Sequence, residues 1–363
     1  MSGSVGAAGL NFSTLNTLIA NTAVVHQQLD TLTEQASTGL AAQTYAGLGA
    51  GAAVSLDLNP QLAALQTYQN NINQATGSMQ VTQTAMTQIQ QIAATFVADM
   101  PKLNSVTASE IDTTAADARS ALTDVANLLD TTNGNTYVFG GLDSSNPPVP
   151  DPDNILSSGF YTQINTAVSG LTTNGSAATI ASTLATASSN ATGTSPFSAY
   201  MSQSPPAISP PIVQTGEGGT TQIGLLASAN SVAVSGGTST TGSYMRDLMR
   251  DLATIGSMSS SQANDPNFTS LVQDTTTSLN GVVNAMATDV GVLGDSQSNL
   301  TNIQTQLTST ATALNSQVSA VQDVDMATTL SNLTATQTQL QASYRLISGA
   351  STLSLVSFLP TPS

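Results

Sequence analysis

Eight apolar residues recur at unbroken seven-residue intervals in the last third of the chain: Val272, Leu279, Met286, Leu293, Leu300, Leu307, Leu314 and Val321. A stripe that long cannot be satisfied within one helix, because a lone helix leaves the whole seam in water. The spacing therefore predicts a long helix lying against other long helices. If continuous from Phe268 to Leu355, the segment would span about 130 Å at ~1.5 Å per residue. Gly291 and Gly294 sit inside it as candidate kinks. Near Asp323 the register slips, and Met326, Leu333, Leu340 and Ile347 restart the spacing on a displaced phase.

The N-terminal end carries matching patterns. From Asn11 to Thr38, Leu15, Leu18, Val25, Leu29, Leu32 and Ala36 occupy a and d positions, with Thr22 interrupting. A glycine-rich stretch, Gly39 to Ala53, breaks the pattern. Asn59-Pro60 resembles an N-cap with proline at the first helical position. Leu58, Leu65, Ile72, Met79, Met86, Ala93 and Met100 follow at heptad spacing, and Pro101 closes the run. A third helix is expected from the capping box Thr107-x-x-Glu110 to a stop at Asn133-Gly134. Thr136 to Gly141 then reads as a short strand leading into a turn.

Between Leu142 and Ser243 the heptads vanish and prolines cluster at Pro147, Pro148, Pro150 and Pro152, then at Pro205, Pro206, Pro210 and Pro211. This region is expected to be a β-rich insert of strands and loops with one helix around Ile180 to Ala187. Helix is expected again at Tyr244 to Ile255, and Asp265-Pro266 is a further cap and proline pair. The fold class is thus mainly α: an antiparallel, coiled-coil-like rod built from both terminal regions, with a central insert. The expected divisions are 1–39, 40–141, 142–243, 244–319 and 320–363.

Composition narrows the function. Only 7% of the 363 residues are charged, there is no Cys or Trp, and 21 acidic residues face 5 basic ones, for a net charge of −16. That argues against nucleic acid, which needs Lys and Arg on its phosphates, and against an anionic membrane surface. Amides and hydroxyls can be buried between subunits at lower desolvation cost than ions, so the composition suits a protein covered by copies of itself or by relatives. Met1 to Ser13 carries neither a basic n-region nor an apolar h-region, so no cleavable signal peptide is expected.

No chemistry assembles from the candidate residues, and no cofactor or metal is expected. His26 is the only histidine and there is no cysteine, which disfavours zinc. Asp151-Pro-Asp-Asn154 lacks the glycine turn and terminal Glu of an EF-hand and reads as a proline-rich turn. Asp117 and Asp124 share a helix face with no motif to orient a substrate. Gly47 to Gly51 lacks the Lys-Ser/Thr of a P-loop. Arg246 and Arg250, at i and i+4, are expected to pair structurally with carboxylates or carbonyls, as is Arg345. The chain is expected not to be an enzyme.

Four stretches resemble the flagellin superfamily: Leu32 to Gly39, Tyr68 to Ala75, Asn133 to Gly141, and the end from Asp323 through Tyr344 to Leu359. Within it, the Tyr137-Val138-Phe139-Gly140-Gly141 core and the Ser354 to Leu359 ending resemble the branch at the hook–filament junction, on its filament side. Flagellins more often close on Leu-Leu-Arg or Leu-Phe-Arg. One departure is Thr44 to Gly51, where many relatives place an Asp-Asp pair.

The resemblance implies an extracellular flagellar component exported without a cleavable signal. It implies self-assembly into a ring, a second hook-associated protein on the hook side, flagellin on the filament side, and an export chaperone at the C-terminal helix. The assembly seam would comprise Leu15, Leu18, Val25, Leu29, Leu32, Leu300, Leu307, Leu314, Val321, Leu333, Leu340 and Ile347. The alternatives are flagellin itself, the main filament subunit, and a secreted adhesin or effector with coiled-coil stalks.

Overall fold

The computed structural model describes residues 5–104, 108–237 and 239–356. Its helices are α1 (Val5–Thr38), α2 (Gly51–Asp99), α3 (Ala108–Leu129), α4 (Gly159–Ser169), α5 (Leu171–Ser188), α6 (Tyr244–Gly256), α7 (Phe268–Gln322) and α8 (Met326–Val356). Two antiparallel hairpins complete it: β1 (Thr132–Asn133) with β2 (Thr136–Tyr137), and β3 (Ile212–Gln214) with β4 (Thr220–Gln222). The chain divides into a unit of Thr67–Thr308 and a terminal unit of Met1–Gln66 with Ser309–Ser363. Both α2 and α7 contribute to each.

In the Thr67–Thr308 unit, the heptad stripes of α2 and α7 turn inward. Ile72, Met79, Met86 and Met100 share one apolar core with Val272, Leu279, Met286, Leu293 and Leu300. α3 adds Ile111, Leu122, Val125 and Leu129, while Phe160, Ile164 and Val168 come from α4. At the centre lies α6, whose tandem Met-Arg-Asp-Leu repeat (245–248 and 249–252) is buried along its entire length. A helix enclosed on all sides is normally apolar throughout; here four charged residues must each find partners.

They do so in two ways. Arg246 donates to the carbonyls of Ala187 (3.1 Å), Ser189 (3.4 Å) and Ser228 (3.3 Å) and to Asn190 Oδ1 (2.8 Å), closing the C-terminal end of α5, with Phe197 beneath its guanidinium. Asp247 accepts from Thr241 N–H and Thr240 Oγ1. Arg250 donates to Asp251 Oδ1 at 3.1 Å and to Ser278 of α7 at 2.8 Å. The structural pairing expected of Arg246 and Arg250 is what the fold contains. Arg345 is exposed and has no such partner among the described residues.

The terminal unit is built differently. α1 ends at Thr38, and Gly39 (φ 75°) turns the chain out of the helix in the left-handed conformation that glycine adopts cheaply. Residues 39–41 then meet the break between α7 and α8: Ala41 N–H donates to Gln322 O at 2.7 Å and Val324 N–H to Gly39 O at 2.9 Å. That bridge joins the end of α1 to the start of α8, so the two helices run back antiparallel. α8 is capped by Asp325, which accepts from Thr328 N–H (3.3 Å), Thr328 Oγ1 (3.1 Å) and Ala327 N–H (2.9 Å); these bonds, those of Thr328 foremost, hold its pKa below the usual carboxylate value.

Several expectations are corrected. The segment from Phe268 is not one helix to Leu355: it stops at Gln322 and restarts at Met326, where the register slips. Gly291 and Gly294 lie within α7 without interrupting it. Asn59-Pro60 does not open a helix, because α2 begins at Gly51 with Pro60 inside. Pro60 is exposed, so the carbonyl left without its N–H faces water rather than a core. Asn133-Gly134 is not a helix cap: Asn133 ends β1 and Gly134, at φ 62°, opens the two-residue turn of the first hairpin. The capping box at Thr107 lies outside the described residues.

The insert is the largest correction. Among the described residues of 142–243 there are two helices, α4 and α5, and only the β3–β4 pair of three residues each. Strands do not form from the β-branched residues because Thr and Ile here serve helices. Thr162, Thr166, Thr183 and Thr186 bond carbonyls one turn back, an alternative that makes threonine tolerable in helix. The expected helix at 180–187 is the second half of α5.

Candidate assembly interface

The terminal unit has the least complete packing. On α1, Val25 is buried while Leu18, Leu29 and Leu32 are half-buried; on α8, Leu340 is buried while Leu333 and Ile347 are half-buried. Leu314 and Val321 of α7 are half-buried in the same unit. The side chain of Leu15 lies outside the described residues. Leu300 and Leu307 go elsewhere: Leu300 belongs to the core of the Thr67–Thr308 unit and Leu307 packs against it. Sequence spacing could not separate these two uses of one stripe.

Outside that seam, large apolar side chains face water. Ile19 (51% exposed) and Val24 (64%) project from α1, and Leu330 (49%), Tyr344 (51%) and Leu346 (65%) from α8. Ile19, Ala23, His26, Tyr344 and Ile347 line an open groove of about 560 Å³ between the two helices. His26 sits on its rim, 3.4 Å from Asp30. A two-helix pair showing this much apolar surface is unfinished as a fold.

The Tyr137–Gly141 stretch occupies a different place and has a different role. Val138, Phe139, Gly140 and Gly141 are buried, and Tyr137 is half-buried. Tyr137 N–H donates to Ser144 O (2.8 Å), Val138 N–H to Thr131 O (3.0 Å), and Ala227 N–H to Phe139 O (3.1 Å). A Cβ on Gly140 would lie 3.0 Å from Asp143 O; one on Gly141 (φ 60°) would meet Leu226 Cδ2 at 2.7 Å and Ser209 O at 2.9 Å. Both glycines are there because backbone passes too close for a side chain. The stretch is a clasp that fastens the end of α3 to the insert.

Asp130 sits at the root of this clasp and accepts the Val149 N–H at 2.9 Å. Burial pushes its carboxyl up to about 6, with the Val149 bond pulling the other way. A raised folded-state value means the folded chain holds the proton more tightly than the unfolded one. Its contribution is therefore present below pH ~4 and lost as pH rises through about 6. Asp130→Asn keeps the acceptor without the charge. Thermal melts should show the variant losing less stability than the parent between pH ~4 and ~7, by about 1 kcal/mol once partial exposure is allowed for. Parallel curves would refute this.

Elsewhere the candidate polar groups are taken up locally. Asp151 Oδ1 accepts from Asn154 Nδ2 (2.9 Å) and Asp153 Oδ1 from Asn127 Nδ2 (3.2 Å), as a proline-rich turn would. Asp124 lies along an open groove between α2 and α3. Among the described residues no three His, Cys, Asp or Glu side chains gather as metal ligands, and no helix is long and apolar enough to cross a membrane.

Comparison with known families agrees with the terminal helices. Residues 11–142 match the bacterial flagellin N-terminal helical region, and residues 276–359 match its C-terminal helical region. Together these segments cover more than half of the chain. The chain belongs to the flagellin family. Its first match ends one residue beyond the Tyr137–Gly141 clasp, and its second begins inside α7, so α4, α5 and α6 lie between the matched regions. The chain is similar in fold to a solved structure from Vibrio parahaemolyticus assigned as a flagellar hook-associated protein. The TM-score is 0.51 at 10% identity, over 74% of this chain and 96% of that one. Among curated proteins no sequence match was found. As a flagellin-family member the protein is a structural, non-enzymatic component of the bacterial flagellum and serves motility.

Proposed function

We propose that this flagellin-family protein is the adaptor on the filament side of the hook–filament junction. The observation that carries the reading is the Tyr137–Gly141 clasp, whose sequence resembles the junction branch rather than filament flagellins and whose residues are buried for a structural reason. The fold likeness to a hook-associated protein supports it, as does the resemblance of the C-terminal ending.

In this reading the exposed apolar faces of α1 and α8 are covered by neighbouring copies in a ring. A second hook-associated protein would sit on the hook side and flagellin on the filament side. An export chaperone would hold α8 before assembly, shielding Leu330, Tyr344 and Leu346, and the protein would leave the cell without a cleaved signal. The terminal divisions 1–39 and 320–363 act as assembly helices, and the solvent-facing side of the 142–243 insert tolerates change where no lattice contact restrains it.

The deciding experiment is immunogold electron microscopy of detached flagella with antibody raised against residues 142–243. A single narrow band between hook and filament is expected. Label along the whole filament would make the protein a flagellin and overturn the reading.

A further inference from the structure

The chain contains three Asn-Gly dipeptides, at Asn133, Asn174 and Asn280, and the fold treats each differently. An Asn-Gly pair is chemically special. Glycine offers no side chain to hinder attack by its own nitrogen on the preceding carboxamide. An N–Cγ bond forms, the C–NH2 bond breaks and ammonia leaves, giving a five-membered succinimide. Water then opens the ring at either carbonyl, producing aspartate or isoaspartate. The step needs water alone. It requires a glycine N–H not engaged in a hydrogen bond, a free carboxamide, and a main chain able to rotate.

Asn280 fails on every count. It lies mid-way along α7, its Nδ2 donates to Thr276 O at 2.8 Å, and Gly281 is pressed under the carbonyl of Gly236, where a Cβ would come within 2.6 Å. Asn174 is exposed and stands at a kink in α5, where Gly175 leaves helical geometry at φ 81°. Its Nδ2 lies 2.6 Å from where a Cβ on Gly170 would stand, and just beyond the kink the N–H of Ser176 donates to Asn267 Oδ1 at 3.3 Å, a tether that holds the main chain there against rotation.

Asn133 meets the requirements. Asn133, Gly134 and Asn135 are all exposed, and Gly134 heads a two-residue hairpin turn at φ 62°. Among the described residues neither the Gly134 N–H nor the Asn133 carboxamide has a hydrogen-bond partner. The hairpin itself consists of only two residue pairs, Thr132 with Tyr137 and Asn133 with Thr136. So short a ladder opens at low free energy.

We propose that Asn133 is a spontaneous deamidation site, converting the β1–β2 turn to aspartate and isoaspartate as the protein ages. The isoaspartyl product lengthens the main chain by one carbon and adds a negative charge. Both fall two residues from the Thr131 carbonyl that anchors Val138. The inference rests on local geometry and holds whether the protein is a junction adaptor or a flagellin.

The test is peptide mapping by mass spectrometry of the full chain incubated at mildly alkaline pH, folded and in guanidinium, with isoaspartate detected by its methyltransferase. In the folded chain Asn133 should deamidate more than about a hundredfold faster than Asn280, which must wait for helix opening. In guanidinium the two rates should converge. Equal slow rates in the folded chain alongside fast rates in denaturant would overturn the proposal. So would an isoaspartate signal undiminished in a folded N133Q variant.

Discussion

Leu340→Asp should abolish incorporation into the flagellum while leaving the Thr67–Thr308 unit folded. Among the described residues Leu340 is the one apolar side chain of α8 that is buried. Enclosing a carboxylate there costs several kcal/mol. The α1–α8 pair has little to set against that. Its other seam leucines are half-buried, and Thr22, Thr329 and Thr336 take places that larger apolar residues would otherwise fill. Undocking is therefore the cheaper response.

Separated helices of 34 and 31 residues with few charges are marginal in water. Far-UV circular dichroism of the variant should show reduced helix, with the main cooperative melt retained. Leu346→Asp provides the contrast. Leu346 is 65% exposed, so the purified monomer should keep full helicity yet fail to assemble, because the outer face rather than the seam is blocked. Wild-type incorporation of Leu340→Asp would sink the seam argument; wild-type incorporation of Leu346→Asp would remove the outer face from the interface.

These two faces mark what a sequence can show. Heptad spacing gave the helices, because burial at period 3.5 is a property of local order. The slip at Asp323 located the α7–α8 break for the same reason. What spacing could not give was the use of each stripe. Leu300 and Leu340 look alike in sequence, yet one sits in a closed core and the other in a pair left open. The insert misled because threonine-rich sequence favours strands only when its hydroxyls are not bonded to helical carbonyls.

α6 was foreseen as a helix but not as the buried centre, since two Arg-Asp steps argue for a surface. Partners distant in sequence, among them the carbonyls of Ala187 and Ser228 and the hydroxyl of Ser278, make its burial tolerable. The clasp was visible as a motif, but its role was not: Gly140 and Gly141 carry no label saying which backbone passes them. Asp289 could have been found. It falls three residues after Met286, on the buried side of the α7 stripe, where an acid needs a specific partner.

Asp289→Ala should destabilise the Thr67–Thr308 unit by about 3–5 kcal/mol, the largest single-residue loss expected in it. The carboxylate is fully buried, and its two oxygens accept three consecutive backbone N–H groups: Ser231 (2.7 Å), Val232 (3.0 Å) and Ala233 (2.8 Å). Charged acceptors make the stronger hydrogen bonds, and removing one strands its donors. Water can reach Ser231 and Val232, which are partly or well exposed, but not Ala233.

The effect should spread along one segment. Asn230, next to the clamped residues, donates to the carbonyls of Ala233 and Gly242 and accepts the N–H of Tyr244, where α6 begins. Freeing 231–233 therefore loosens the start of the buried helix. Hydrogen exchange should show lost protection over 230–248 before other regions. Asp274→Ala is the control: half-buried, with one hydroxyl bond from Ser239, it should cost about 1 kcal/mol or less. If Asp289→Ala costs no more than Asp274→Ala, the loop is held by its own turns and the carboxylate is incidental. If the difference appears with protection lost at 230–248, one acid on α7 sets the position of α6.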